Sequence, residues 1–338
     1  MINFFRRFSY FSALIIIFLS ACTPGINTTV SEHPLLDKIW SVKEQKFISQ
    51  EQFRQQLLSS DIILLGETHD NKQHHQLQAD AIHEFVKNNQ SPAVAFEMLN
   101  QNQQEIIHDF QTTNKNSASI TDDFARTVDW DKSGWPQWSY YRPVFKQALE
   151  NNLPVIATNL EHRQIRKVIK QGPEVLDKKY QNLLNRYQYK PDIQQTLEQD
   201  IQLSHCDMLP ANMLAPMLRG QQVRDLAMMT TILESLKQRT KVIVIAGSGH
   251  TRKDYGIPWY LHQELSGKPL QKQNNARILS MAFIEVSPDK LQPAEYSQAW
   301  GENLKHLPFD YVWFTSRTER EDQCEKMKAY MQKKNKKS

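Results

Sequence analysis

Two short stretches of the chain share one spelling: Gly66-Glu67-Thr68-His69 and Gly247-Ser248-Gly249-His250 both read G-x-x-H. Each closes an apolar run, Ile62 to Leu65 in the first case and KVIVIA in the second. Two further runs end in the same way, AVAFEML at 93–99 presenting Glu97 and LPVIATNL at 153–160 presenting Asn159. Runs this short and this apolar suit strands covered on both faces, as in a parallel sheet. Parallel neighbours share an exit edge, and that edge is where open α/β sheets bind ligands. His69, His250, Glu97, Asn159 and Glu67 are therefore expected around one crevice. Two imidazoles, one or two carboxylates and an amide that converge there form either a functional crevice or a hydrogen-bonded polar knot that closes the sheet edge. H-E-x-x-H is absent, which excludes a zincin spelling, and the lack of C-x-x-C argues against a thiolate zinc site.

Helices must lie between these strands. In NKQHHQLQADAIHEFVKNN, Leu77, Ala81 and Phe85 recur at a four-residue step with Ile82 beside them, and Asp70 or Asn71 can cap the start. His74 falls on that stripe and reads as a packing residue, His75 lies at its edge beside the first G-x-x-H, and His83 points away. The segment at 128–152 concentrates Trp130, Trp135, Trp138, Tyr140 and Tyr141 before a helix. It reads first as a packing cluster, and alternatively as a wall for a flat apolar ligand with Arg142 pairing an acidic group. Residues from about 163 to 240 are helical and too many for one crossover, so a helical subdomain over the carboxyl edge is expected, with Met208, Met213, Met217, Met228 and Met229 supplying apolar surface. Two more strands follow, ILSMAFIEV at 278–286 and DYVWFTS at 310–316. The fold class expected is α/β: a largely parallel central sheet flanked by helices, with the helical subdomain inserted before the fourth strand.

The amino terminus has a different character. Arg6 and Arg7 precede an apolar run from Phe8 to Leu19 that ends in LSAC, the pattern of a signal peptide with a lipobox, cleaved before Cys22. Residues 1–21 are the signal peptide, 22–40 a turn-prone tether, 41–320 the α/β domain with its subdomain at about 163–240, and 321–338 a basic tail. Cleavage removes two arginines and leaves 39 Lys plus Arg against 37 Asp plus Glu, nearly neutral, so no basic surface argues for nucleic acid. The mature chain can bury a core without disulfides, and Cys206 and Cys324, far apart, are read as two unpaired thiols.

Taken in order, GETHDNKQHH, AFEML, DW with WPQWSYYRPVF, LPVIATNL, HCDMLP, RDLAMM and VIAGSGHTRKDYGIPWYL resemble the ChaN-like haem-binding lipoproteins, over about residues 40 to 290. The two G-x-x-H motifs with the intervening Glu97 are also similar to the wider superfamily of TIKI metalloproteases and erythromycin esterases. The first resemblance implies an α/β fold, lipid attachment through acylated Cys22 to the outer membrane of a Gram-negative cell, facing the periplasm, haem binding and a part in haem or iron acquisition. The second implies, as the alternative, a metal-dependent hydrolase, peptidase- or esterase-like, in which His69, His250 and Glu97 hold a divalent ion such as manganese or zinc whose water attacks a carbonyl while Glu67 moves the proton, or in which one imidazole, oriented by a carboxylate, acts as a general base without metal. A haem carrier needs an iron ligand, apolar walls and cations at the rim. Tyr255, just after the fourth strand exit, is the first choice of ligand, with Tyr140 and Tyr141 next and His75 as a second contact. Arg252 and Lys253 are available for the propionates and Trp259 as a wall. A site open for transfer leaves one face of the ring exposed, which a second copy of the chain would cover, so haem is expected to promote a homodimer.

Replacing Cys22 by Ser should stop lipid modification and leave an uncleaved precursor in the inner membrane, as fractionation and mass measurement would show. A processed, outer-membrane form of that variant would contradict the assignment.

Overall fold

The computed structural model describes residues 32–335 apart from 115–116, 240, 267–275 and 303, so the signal peptide and Cys22 lie outside the described residues. Eight strands form one sheet: β1 (Ile39–Ser41), β2 (Lys46–Ile48), β3 (Ile62–Glu67), β4 (Ala93–Asn100), β5 (Val155–Asn159), β6 (Val242–Gly247), β7 (Ile278–Glu285) and β8 (Tyr311–Thr315). Their order is β2-β1-β8-β7-β3-β6-β4-β5. From β8 to β5 every pairing is parallel, while β1 runs antiparallel to both β8 and β2. β1 and β2 are three residues each and carry no legible alternation, which is why the sequence shows only the longer strands.

The helices are α1 (Gln50–Ser59), α2 (Lys72–Lys87), α3 (Gln104–Thr113), α4 (Ile120–Thr127), α5 (Trp138–Glu150), α6 (His162–Gln171), α7 (Lys178–Arg186), α8 (Pro191–Ser204), α9 (Ala211–Gln238), α10 (Ser248–Thr251), α11 (Ile257–Ser266) and α12 (Gln323–Asn335). They cover both faces of the sheet. Ile63, Leu65, Phe96, Ile243 and Ile245 pack under α2 and α5 through Phe85 and Phe145. The alternate residues Ile62, Leu64, Ala95, Val242 and Val244 pack under α9 through Val223, Leu226 and Ile232. Ile62 to Leu65 are fully buried, and each such aliphatic side chain contributes roughly 1.5–3 kcal/mol by leaving water.

The stretch expected as a subdomain above the sheet edge divides its work differently. The carboxyl half of α9, with Met228 and Met229 fully buried, is itself the second covering layer, and α6 packs beside it. Its hydrophobic face is needed there, because parallel strands must be covered on both sides. Asp225 and Gln221, nearer its amino end, reach the strand exits. α8 continues the layer outward around Leu197, Ile201 and Leu218.

Cys206 and Cys324 form a disulfide, so the reading of two free thiols is corrected: the turn after α8 and the first residues of α12 meet although 118 positions separate them. No sequence pattern announces that meeting, because it depends on where β8 ends. Closing so long a loop stabilises by about 4–5 kcal/mol on a chain-entropy basis. α12 makes no extensive packing with other elements among the described residues, so the bridge is its main attachment. Under reducing conditions, limited proteolysis should remove the segment after Arg320 before the sheet is attacked. Equal protection of this segment with and without reductant would contradict that attachment.

Candidate functional site

The topology places β3 between β6 and β7, with β4 beyond β6, so the exits of β3, β6 and β4 are close together. Both G-x-x-H glycines are fixed by crowding. A Cβ on Gly66 would lie 2.2 Å from Thr251 Oγ1, and one on Gly247 would lie 2.9 Å from His69 Nε2. Each glycine thus lets the next element turn in over the strand end. Strand alternation then separates the two acids. Glu67 continues the side of Ile63 and Leu65 and faces α2 and α5, whereas Glu97 continues the side of Ala93 and Ala95 and faces α9.

Glu67 is buried, and its two oxygens are saturated. Oε1 accepts from the Tyr141 hydroxyl at 2.5 Å and meets His69 Nδ1 at 2.8 Å. Oε2 accepts from Gln78 Nε2 at 2.7 Å and lies 3.2 Å from His75 Nδ1. Burial alone would push its carboxyl up; the charge of His75 and the hydrogen bonds from His69 and His75 hold it well below the usual carboxylate value. His75 is itself fully buried, with Nε2 on the His69 carbonyl at 3.0 Å. Burial opposes its charge, but Glu67 raises His75 above the ordinary histidine value. Burial and Glu67 together push the Tyr141 phenol far above its usual range, so it stays a donor.

The second acid is arranged in parallel. Glu97 Oε1 lies 3.2 Å from His250 Nε2, and Oε2 accepts the Gly247 N–H at 2.8 Å. On its other side His250 Nδ1 meets Asp225 Oδ1 at 2.5 Å and Gln221 Nε2 at 3.1 Å. Burial disfavours the imidazolium, yet the carboxylates of Glu97 and Asp225 push His250 up to about 10. Glu97 is lowered to about 2, burial being outweighed by His250, His69 and the Gly247 N–H. Burial raises Asp225 to about 6 despite His250. Asn159 Nδ2 donates to the Glu97 carbonyl at 3.2 Å, so it braces the β4 exit with its amide.

His69, Glu97, His250 and Asn159 are thus brought together, with Glu67 on the other flank. They do not present themselves as a metal centre: among the described residues no set of three His, Cys, Asp or Glu is disposed to hold an ion. Both His250 nitrogens and His69 Nδ1 already face carboxylates. The proton-shuttle role for Glu67 is likewise unsupported, since none of its side chain reaches solvent. Asp225 was missed because it sits mid-helix in RDLAMM with no strand exit to mark it; its burial on an otherwise apolar face was the available signal.

The loop after β6 runs inward, contrary to expectation. Tyr255 is fully buried, its hydroxyl donating to Asp200 Oδ2 at 2.6 Å. Arg252 is buried against that ring, with Nε on Asp254 Oδ1 at 2.9 Å and Nη2 on the Trp300 carbonyl at 2.6 Å. Both are tied up in the interior, because the loop's charges neutralise one another there, and neither can meet a ligand at an open mouth. Lys253 pairs with Asp310, and Trp259 packs edge-on to Tyr189 at 4.8 Å. The aromatic segment is mostly core: Trp130 and Tyr141 are buried, and Arg142 is spent on Asp122 at 3.0 Å. His74 is also a core residue, stacked on Phe283 and lowered to about 4, chiefly by burial.

What does face outward is a smaller set. His69 is about one-third exposed, 37% for its side chain, and Trp135 stands edge-on to it at 4.9 Å. With Nδ1 directed to Glu67, the other nitrogen, Nε2, lies over Gly247 without a hydrogen bond among the described residues. Tyr140 is half-buried, its hydroxyl unbonded among the described residues and its ring under Lys72 Nζ at 4.7 Å. Beyond Trp135 a cleft of about 720 Å³ opens, lined by Met98, Leu99 and Trp130 and by Arg166 and Arg224.

The family model described as "Haem-binding uptake, Tiki superfamily, ChaN" matches residues 53–261. The chain belongs to this family. Among solved structures it is similar to ChaN of Campylobacter jejuni, a protein described by its cofacial haem binding, at 23% identity and TM-score 0.60 over 81% of this chain and 95% of that one. That likeness shows the shared α/β fold. An erythromycin esterase, EreC, in its open conformation matches more distantly, at 14% identity and TM-score 0.42 over 86% and 85% of the two chains. Comparison with curated proteins finds no match.

Removing the imidazole that lies between two buried carboxylates should be severe. His250→Ala is expected to destabilise the domain by about 3–5 kcal/mol in urea unfolding, because Glu97 and Asp225 lose their shared partner. The wild type should also lose stability as pH rises from about 6.5 to about 10, since a histidine raised on folding stabilises fully only below its unfolded value. His250→Gln should flatten that alkaline loss, and an unchanged profile would contradict the assignment.

Proposed function

We propose that this protein is a lipid-anchored haem carrier that takes part in haem or iron acquisition, and that it binds haem at the mouth formed by His69, Trp135 and Tyr140. Family membership supports haem as the ligand. The observation that carries the location is the pairing of a partly exposed donor with a cleft that has both aromatic and cationic lining. His69, beside Trp135, and Tyr140, at the start of α5, are each partly exposed, and His69 Nε2 and the Tyr140 hydroxyl make no hydrogen bond with a described residue. Both suit ferric haem. The carboxylate of Glu67 on Nδ1 orients the imidazole; burial opposes its charge but Glu67 and Glu97 raise His69, so Nε2 would give up its proton to become the lone-pair donor when a metal binds. Trp135 and the cleft beyond it match a flat apolar ring, and the Lys72 ammonium over Tyr140 favours negative charge on or near that phenol. Haem supplies the iron; the protein binds it, orients it and leaves one face open.

The disulfide supports a compartment outside the cytoplasm, as the lipobox at Cys22 requires. An open ring face would be covered by a second copy, so haem loading should favour a homodimer. A second reading rests on one observation: the buried Glu67 carboxylate orients the one-third-exposed His69, which is the arrangement of a metal-free general base for ester or peptide hydrolysis.

Titrating the mature, haem-free protein with haemin should give a saturable Soret shift. His69→Ala or Tyr140→Phe, whichever removes the ligand, should weaken binding on the order of tenfold or more and change the spectrum, whereas Tyr255→Phe should leave both unchanged. No saturable shift in the wild type, or no effect of either mouth substitution, would overturn the proposal. In the latter two cases, hydrolysis of a nitrophenyl ester that is lost in His69→Ala would favour the second reading.

A further inference from the structure

The cleft beyond Trp135 has a charge distribution that the polar centre does not explain. Arg166 on α6 and Arg224 on α9 line it, and neither makes a hydrogen bond or ion pair with a described residue. Nearby acids are already engaged. Glu161 accepts from Asn102, and Asp129, which also lines the cleft, is paired with Lys132 at 2.9 Å. His162 completes the group one turn before Arg166. Burial together with the two flanking guanidiniums pushes His162 below the usual histidine value, so positive charge dominates this wall. The same cleft is also lined by the apolar and aromatic side chains of Met98, Leu99, Trp130 and Trp135. Arg224 is also chain-adjacent to Asp225, the buried partner of His250, so α9 carries both the cationic wall and a member of the polar centre.

We infer that Arg166 and Arg224 form a carboxylate clamp that takes the propionate edge of a porphyrin whose apolar face lies along Trp135. This rests on the haem reading above and replaces the expectation that Arg252 does so. Guanidiniums suit the task because their planar donor pairs match a carboxylate in two parallel hydrogen bonds, and a site holding both propionates fixes the ring's rotation about the iron. The clamp lies at the rim, where the propionates can remain partly hydrated while the ring is covered.

The test compares haemin with haemin dimethyl ester, which keeps the ring and iron and removes both negative charges. Wild-type protein should bind haemin on the order of tenfold or more tightly than the ester. In Arg166→Ala/Arg224→Ala the two porphyrins should bind with similar affinity, the loss falling on haemin alone, while circular dichroism and thermal unfolding stay as in the wild type. A milder Arg166→Lys/Arg224→Lys variant should recover part of the preference. Saturable binding with equal affinities in the wild type, or a preference that survives in the double alanine variant, would overturn the clamp while leaving haem binding intact. Absence of saturable haemin binding in the wild type would overturn the haem reading, and the clamp with it.

Discussion

Two carboxylates shut away from water set the terms for the rest of the molecule. Glu67 and Glu97 stand at the ends of β3 and β4, the two strands that flank β6, each buried and each held ionised by its partners, and an uncompensated charge in such a place costs several kcal/mol. Every partner they recruit constrains another element. Glu67 fixes α2 through His75 and Gln78, α5 through Tyr141, and the β3 exit through His69. Glu97 fixes the β6 exit through Gly247 and α10 through His250, which in turn holds α9 by Asp225. The helices of both faces are thereby tied to the same edge of the sheet. Asp225 Oδ2 has no hydrogen-bond partner among the described residues, so the network is saturated on the Glu67 side and not on the α9 side.

The parallel core was legible because buried strands are written as unbroken apolar runs and their exits as abrupt polarity. That signal identified Glu67, Glu97, Asn159 and both G-x-x-H histidines, and parallel pairing of β3, β6 and β4 converts the shared exit into proximity. It could not say whether a side chain that arrives at the edge is turned outward. Tyr255 follows a strand exit as closely as His250 does, yet the loop carries it inward to Asp200, because Arg252 and Asp254 neutralise each other beneath it. Trp135 shows the converse: Trp130 and Tyr141 of the same segment are core, whereas Trp135 stays partly exposed beside His69. The disulfide was illegible for a different reason, since two cysteines 118 residues apart carry no local pattern.

Membership of the haem-uptake family and the geometry of the mouth bear on different questions. The family speaks to the ligand. The geometry speaks to where the ligand can be reached: the interior imidazoles are spent on buried acids, and the free donor atoms lie where β3 gives way to α2 and where α5 begins. A carrier gains from that division, because a rigid, internally satisfied network can hold the mouth residues in place without itself exchanging groups with the cargo.

A crystal structure of the mature protein loaded with haemin would test this arrangement most directly. The arrangement predicts iron bonded to His69 Nε2 or to the Tyr140 hydroxyl oxygen, a ring against Trp135, and the contacts of Glu67 and Glu97 unchanged beneath it. Iron ligated by a residue away from this mouth, with Trp135 uncovered, would contradict it.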